Sequence, residues 1–333
     1  LLIITGAISF FLSPVIDNLT TALVMCAVVM AVGRGNDRFI GLGCINIVVA
    51  ANAGGAFSPF GDITTLMVWQ KGLLQFQTFF ALFIPSAVNY LVPAVIMSLA
   101  VPKAIPQAES EVVVMQRGAK RMMFLFGCTI ATAVGFHNFL HLPPFLGMMT
   151  GLAYLQIFGY FLRITHTAEM ENGPPHGRHG EVTAFDSYRE IARAEWDTLL
   201  FFFGVIMCVG GLGFIGYLDQ LSVFAYSELG ATVANILVGL ASAIVDNIPV
   251  MVAVLQMYPE MDVAQWLLVT LTAGVGGSLL SIGSAAGVAL MGQARGQYTF
   301  FSHLKWTPAI AAGFALSIWV HFLVNGHYIG VAV

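Results

Sequence analysis

The 333-residue chain carries very little charge, since only 9% of its residues are Asp, Glu, Lys or Arg and 58% are hydrophobic. Soluble domains carry about 25% charged residues, so this chain could not cover a water-exposed surface. The small net charge of −4 gives no electrostatic basis for binding nucleic acid. The four cysteines lie in apolar segments without paired spacing, which indicates buried side chains and excludes a disulfide framework. The composition predicts an all-α polytopic membrane protein.

Most of the apolar segments reach the length of about 20 residues that a spanning helix needs. Two of them, 39–72 and 263–296, are cut by Gly, Ser and Pro into arms of roughly 10 to 13 residues. Irregular backbone persists in a membrane only where protein or water covers it, so both segments predict re-entrant helical hairpins. The charged stretches 102–120 and 163–197 are predicted to be extramembranous loops.

Two different motifs recur in the same order along the chain. SPVIDNL at 13–19 matches SAIVDNI at 242–248, and GGAFSPFGD at 54–62 matches GGSLLSIGS at 276–284. In each half, Asp-Asn is predicted to interrupt one transmembrane helix, and the Gly-rich hairpin follows. The pattern predicts two inverted repeats, each with an interrupted transmembrane helix and a re-entrant helical hairpin.

The repeats divide the chain into three expected parts: 1–101, a two-helix connector at 102–196, and 197–333. If the connector's charged loops face the cytoplasm, ten of the thirteen Lys and Arg residues lie inside, including Lys305. Arg34, Arg38 and Lys71 then lie outside, as exceptions to the positive-inside bias. This topology makes the two interrupted helices antiparallel.

Three aspartates, Asp17, Asp62 and Asp246, lie in apolar segments with no Lys or Arg close by in the same segment. An ionised carboxylate costs about 2.5 to 3.5 kcal/mol at the centre of a membrane helix, so each must be paired, protonated or bound to a cation. Neutral oxygen donors surround them, and small hard cations prefer oxygen ligands. The candidate cation and proton site comprises Asp17, Asn18, Asn52, Asp62, Thr64, Thr65, Ser242, Asp246, Asn247, Ser281 and Ser284.

Within this set, Na⁺ is expected at Asp17, Asn18, Asp246 and Asn247. A purely structural alternative stays open, because Asn, Ser and Thr in membrane helices also bond to neighbouring helices. Glu195 stands at the start of a span, where it could receive protons from the cytoplasm or only cap the helix. The loop histidines show weak metal-like spacing, and a solvated loop is the better interpretation.

Four stretches resemble the NhaD-type sodium/proton antiporters of the ion transporter superfamily: SPVIDNLTT (13–21), SPFGDITTLMVWQKG (58–72), FFFGVIMCVGGLGFIGYLDQLS (201–222) and ASAIVDNIPVMVAV (241–254). The resemblance implies two inverted repeats and a homodimer with a scaffold part and a moving transport part. It implies exchange of Na⁺ or Li⁺ for protons, with no enzymatic activity and no cofactor, in a bacterial inner membrane. The family's polar motif residues map onto the candidate site, and its earlier N-terminal helices are expected to precede Leu1.

The predicted mechanism is alternating access at a site near the membrane midplane, where protons and the cation compete for the same oxygens. A sodium-coupled anion or dicarboxylate carrier of the same superfamily is one alternative, although a carboxylate would repel an anion. A remote alternative is an intramembrane aspartyl protease, because FGD at 60–62 loosely matches a Gly-x-Gly-Asp motif. That chemistry needs two facing aspartates that share a proton.

Overall fold

The computed structural model describes residues 1–101, 118–172 and 196–332, and over these residues the chain is helical without strands. It divides into two compact units, taken over the described residues. One comprises Leu1–Ala108 with Leu199–Val333, and the other comprises Glu109–Thr198. The helices of the second unit are α6 (Ala119–Leu140) and α7 (Pro144–Asn172), which pack against each other. Helix α7 continues to Asn172, so the prediction of a loop from residue 163 is wrong up to that residue.

The first unit is built from helices of both halves of the chain. Its N-terminal helices are α1 (Leu2–Ile16), α2 (Asn18–Val32), α3 (Asp37–Gly55), α4 (Ile63–Gln70), a 3₁₀ helix (Phe76–Leu82) and α5 (Phe83–Ser98). Its C-terminal helices are α8 (Trp196–Phe214), α9 (Tyr217–Ser222) with a π-helical turn (Val223–Glu228), α10 (Ala231–Ser242), α11 (Asn247–Met257), α12 (Val263–Gly276), α13 (Ala285–Gln293), α14 (Phe300–Leu304) and α15 (Thr307–Asn325).

Five helices in the described chain are long and apolar enough to cross a membrane: Asp37–Gly55, Phe76–Ser98, Ala119–Leu140, Pro144–Thr165 and Thr307–Tyr328. The bent pair Leu199–Phe214 and Tyr217–Glu228 would make a sixth span, with an angle of 82° at its break. The prediction of an all-α protein with several transmembrane helices is confirmed.

Helices α1 and α2 form a hairpin whose turn is at Asp17. Helix α1 runs parallel to α3. The Asn46 amide donates to Leu2 O at 2.8 Å and the Ser13 hydroxyl donates to Ala51 O at 2.6 Å, so the residue numbers of both helices rise in the same direction. Helix α2 runs the opposite way along α3. The interrupted helix predicted at 1–33 is therefore folded back on itself.

The reversed direction of α2 follows from two contacts with α3. The Asn18 amide donates to Asn52 Oδ1 at 3.3 Å, and the Cys26 and Cys44 sulfurs lie 3.8 Å apart, so the residue numbers run in opposite senses. Helices α3 and α4 do not pack side by side in the described chain. The sequence predicts an interrupted helix at the Asp-Asn motif and a hairpin over 39–72, and the structure shows the reverse. The Asp-Asn motif marks the turn of a hairpin, and 56–62 interrupts the long helix.

The second half shows the same exchange. Gln265 in α12 donates to Thr232 at 2.8 Å and Ser242 donates to Ala273 O at 2.8 Å, so α10 and α12 run parallel. Helices α10 and α11 pack together at their turn. Ala234, near the start of α10, and Met257, at the end of α11, line the same cavity, so the chain folds back between them and does not continue as one straight helix. Helices α12 and α13, separated by 277–284, form the interrupted helix.

The internal repeat is visible in contacts that recur at offsets of 229 and 222 residues. The bond from Ser13 to Ala51 O has its counterpart in the bond from Ser242 to Ala273 O. Gly54 in α3 abuts the backbone of α1, and Gly276 in α12 abuts the backbone of α10. A side chain at either glycine would collide with a carbonyl oxygen, which explains why the Gly-Gly pairs recur.

Opposite ends of the two interrupted helices meet. Gln297, after α13, donates to Asp37 Oδ1 at the start of α3 at 2.7 Å. The last two turns of α15 contact both Ala81, which follows α4, and Ala264, at the start of α12. The two interrupted helices therefore run in opposite directions within the unit, as inversion requires. Inverted insertion in a membrane stays a prediction.

One part of the predicted topology is wrong. Arg38 and Lys305 line the same cavity, so they lie at one end of the unit and not on opposite sides of a membrane. Arg34, in the turn before α3, belongs to that end, whereas Lys71 follows α4. The physical reason is the hairpin at Asp17: folding α2 back along α3 carries the turn between them to the end where α13 finishes.

Candidate functional site

The Asp62 carboxylate is buried and accepts three hydrogen bonds from neutral N–H groups. Its Oδ2 accepts from the amide nitrogens of Asn18 at 2.8 Å and Asn247 at 2.9 Å. Its Oδ1 accepts from the backbone N–H of Thr64 at 3.0 Å. Bonds of this charge-assisted kind stabilise the ionised form of a carboxylate without a basic residue.

Three helix N-termini converge on this carboxylate. Asp62 is the N-cap of α4, and Asn18 and Asn247 are the first residues of α2 and α11. The N-terminal end of a helix carries a partial positive charge, which favours an anion at this position. The two hairpin turns therefore each supply one amide to a carboxylate that lies at the break of the first interrupted helix.

Several polar atoms around Asp62 are buried and have no hydrogen-bond partner among the described residues. They are Asn52 Nδ2, Thr64 Oγ1 and Asp246 Oδ1, while Asn52 Oδ1 accepts from Asn18. Asp246 lies close enough to Asp62 for the two carboxylates to interact electrostatically. Buried polar groups are nearly always paired, so these atoms point to a ligand or solvent at this position.

The two repeat-related aspartates make different contacts. Asp17 Oδ1 accepts from the backbone N–H of Thr20 at 2.9 Å and Asp17 Oδ2 accepts from its hydroxyl at 2.7 Å, so Asp17 caps α2. The residue that corresponds to Thr20 in the second repeat is Pro249, which has no N–H to donate. Asp246 makes no capping bond with its side chain. Its carboxylate thus stays available for another partner.

The remaining predicted residues lie in other hydrogen bonds. Thr65 donates to Ser58 O and Asp62 O, which secures the first break, and Ser242 donates to Ala273 O. Ser281 Oγ lies 3.5 Å from Met291 Sδ, and Ser284 caps α13. The structure therefore brings together Asn18, Asn52, Asp62, Thr64 and Asn247, with Asp246 beside them. Glu195 lies outside the described residues.

Sequence reasoning missed how the hairpin turn is fastened to the break. The backbone N–H of Asn18 donates to Gly61 O at 3.0 Å, and the Ser58 hydroxyl donates to Pro14 O at 2.9 Å. Both contacts join the first turn to segment 56–62. The only sequence signal was that both stretches are polar within apolar segments, which gives no information about pairing.

No three His, Cys, Asp or Glu side chains of the described chain converge on a position that could hold a metal ion. A cation next to Asp62 would instead bind to one or two carboxylates, amide oxygens and backbone carbonyls, which suits an alkali ion.

A buried acidic site at two hairpin turns, within a protein that crosses the membrane several times, is typical of a transporter. Residues 1–274 match the family model described as Citrate transporter. The chain is 61% identical over 332 residues to the Na⁺/H⁺ antiporter NhaD of Vibrio cholerae, an alignment that covers 97% of this chain and 70% of the relative.

Two further relatives agree. The chain is 62% identical over 322 residues to the NhaD of Vibrio parahaemolyticus, covering 94% of this chain and 78% of the relative. It is 32% identical over 340 residues to sodium/proton antiporter 1 of Arabidopsis thaliana, an alignment that covers 98% of this chain and 56% of the relative. The chain belongs to the NhaD family of Na⁺/H⁺ antiporters, and the resemblance inferred from its motifs is confirmed.

Proposed function

We propose that the protein exchanges Na⁺ or Li⁺ for H⁺ across the bacterial inner membrane. The observation that carries the proposal is the buried Asp62 carboxylate, which is held by Asn18, Asn247 and Thr64. These donors are neutral, so they leave the negative charge in place for a cation or a proton. The relatives named as Na⁺/H⁺ antiporters support the same conclusion.

Competition between the two cargoes follows from the charges of Asp62 and Asp246. Two ionised carboxylates this close repel each other, and a bound Na⁺ or a proton relieves that repulsion. A proton that binds either carboxylate lowers the negative charge available to Na⁺, so each cargo displaces the other. Asp17, next to Asn18 at the first turn, remains in the proposed set as the acidic residue that holds this turn in place.

Alternating access is the proposed route by which the site faces each side in turn. The bond from Asn247 to Asp62 joins residues of the two halves, whereas the bond from Asn18 lies within the first half. A movement of one half relative to the other would make or break the Asn247 bond and so change the site. We also propose the homodimer and the functional division at 1–101, 102–196 and 197–333 that the sequence predicts.

The test uses sealed vesicles with an acid interior and a dye that reports the pH gradient. NaCl or LiCl should collapse the gradient, KCl should not, and Asp62→Asn and Asp246→Asn should each abolish the response. Asp219→Asn is the matched control, because Asp219 is exposed on α9. Full activity in Asp62→Asn, in protein that is folded and inserted, would refute the proposed site.

Transport of citrate is the second candidate, because the family model carries that description. The same vesicles are therefore assayed with labelled citrate, with and without Na⁺. Two carboxylates at the site should repel a multivalent anion. Citrate uptake that needs Asp62, together with no response of the pH gradient to Na⁺ or Li⁺, would favour the carrier over the antiporter.

A further inference from the structure

A polar cavity, distinct from the Asp62 site, lies where the first and second halves meet. It has a volume of about 400 Å³ and is lined by the start of α3 and by the segment that leads into α15. The Arg38 guanidinium, the Lys305 ammonium and the Ser302 hydroxyl group belong to its lining, and the Trp306 indole and the side chains of α3 add apolar surface.

The cavity carries unbalanced positive charge. Its acidic residue, Asp37, already accepts a hydrogen bond from Gln297 at 2.7 Å. Among the described residues, neither Arg38 nor Lys305 has an ion-pair or side-chain hydrogen-bond partner. Arg38 and Lys305 against Asp37 leave the cavity with one net positive charge, and these cations with the Ser302 hydroxyl group suit an anion with several oxygen atoms, such as a phosphate group.

The position of the cavity favours a phosphate group that belongs to a lipid. Trp306 directly precedes Thr307–Tyr328, a helix able to span a membrane, and Trp is enriched at membrane–water interfaces. Helix α5 packs along α15, with Ala81 bonded to Asn325, so α5 ends at the cavity's end of the unit. Arg34, Arg38, Arg295 and Lys305 all lie at that end, so the positive-inside rule predicts it to be cytoplasmic, where anionic lipids are abundant.

We propose that this cavity binds the phosphate group of an anionic phospholipid, with Arg38 and Lys305 as its basic contacts. The acyl chains would then follow the exposed apolar side chains of α15, such as Leu316 and Trp319, because α3 is buried beyond Arg38. Because the lining comes from both halves, the bound lipid would bridge them at the end opposite Lys71. The proposal does not depend on which ion the protein transports.

The experiment measures quenching of Trp306 fluorescence by brominated lipids in nanodiscs that contain the full chain. The difference between the parent protein and Trp306→Phe isolates this indole from the four other tryptophans. Brominated phosphatidylglycerol should quench Trp306 at lower mole fraction than brominated phosphatidylcholine. Arg38→Gln and Lys305→Gln should each weaken this preference by about fivefold, the value expected for one basic residue near an anionic surface.

Lys71→Gln is the matched control, because Lys71 is an exposed basic residue at the other end of the unit, and its preference should equal that of the parent. Both substituted cavity residues are exposed, so their variants should fold, and thermal unfolding checks this. Equal quenching by the two lipids, or an unchanged preference in both cavity variants, would overturn the proposal. Displacement of the lipid by millimolar inorganic phosphate would also overturn it and assign the cavity to free phosphate.

Discussion

Asn247→Ala should weaken cation binding more than the loss of any other single amide from the second half. The substitution removes the 2.9 Å bond from Asn247 Nδ2 to Asp62 Oδ2. A hydrogen bond to a charged group contributes about 1.5–3 kcal/mol. Its loss destabilises the ionised, Na⁺-bound site relative to the protonated site, so at a pH where protons occupy the site before Na⁺ binds, half-saturation by Na⁺ should need about 10 to 150 times more ion. Water that replaces the amide would bring the effect toward the lower limit.

The assay is Na⁺-dependent proton flux in proteoliposomes, titrated with NaCl at fixed pH. Asn325→Ala is the matched control, because this buried amide donates to Ala81 O at 3.0 Å, far from Asp62. Asn18→Ala should resemble Asn247→Ala, since its bond to the same oxygen is 2.8 Å long. The double variant should show less than the sum of the two effects in free energy, because both amides share one acceptor.

The reasoning is refuted if Asn247→Ala keeps the parent's half-saturating Na⁺ concentration in protein that is folded and inserted. It is also refuted if Asn325→Ala raises that concentration as much, because the effect would then report helix packing and not the carboxylate. A fall in the maximal rate alone would contradict the argument as well. The bond is expected to act on the occupancy of the site, which the half-saturating concentration measures.

Other substitutions test separate parts of the argument. Asp246→Asn should raise the melting temperature in Na⁺-free buffer, because its repulsion with Asp62 is lost, and should remove the stabilisation by added Na⁺. Burial lowers the pKa of His303 to about 4, so the stability present above pH 6.5 should fall by about 3 kcal/mol as the pH drops toward 4, and His303→Gln should flatten this thermal-unfolding profile. Gly283→Ala should abolish exchange, because its Cβ would collide with the backbone of the second hairpin turn, whereas Gly211→Ala, in open space, should keep the parent's flux.

The sequence alone could predict the helical class and the repeated motifs, because both depend on local patterns of residue type. It could not decide which motif marks a hairpin turn and which an interrupted helix. Segments 1–33 and 39–72 are both longer than the roughly 20 residues of one span, and both contain polar residues at their centre. Only tertiary contacts separate the two cases, such as the approach of Cys26 to Cys44 across α2 and α3.

The topology prediction failed for the same reason. The predicted topology places Arg34 and Arg38 outside because it treats 1–33 as one continuous span. A hairpin returns the chain to the side from which it came, so each hairpin mistaken for a span reverses the side of every later loop up to the next error. The second error, at the interrupted helix, restores the sides assigned to the connector, so the turn before α3 is misplaced, and the same pair of errors in the second half misplaces the turn before α12.

The asymmetry between the repeats explains how one acidic site can arise in a duplicated scaffold. Asp17 and Asp246 occupy equivalent positions, yet the third residue after each differs: Thr20 offers both an N–H and a hydroxyl, and Pro249 offers neither. Replacing a capping donor by proline thus releases one carboxylate toward Asp62 while the other stays fixed at its own turn. The second repeat also has Ser284 where the first has Asp62, so the negative charge converges on one break and not on two. Acidic residues at both breaks would favour two separate cation sites. The two differences between the repeats, Pro249 in place of Thr20 and Ser284 in place of Asp62, together favour a single site in which Na⁺ and protons must compete.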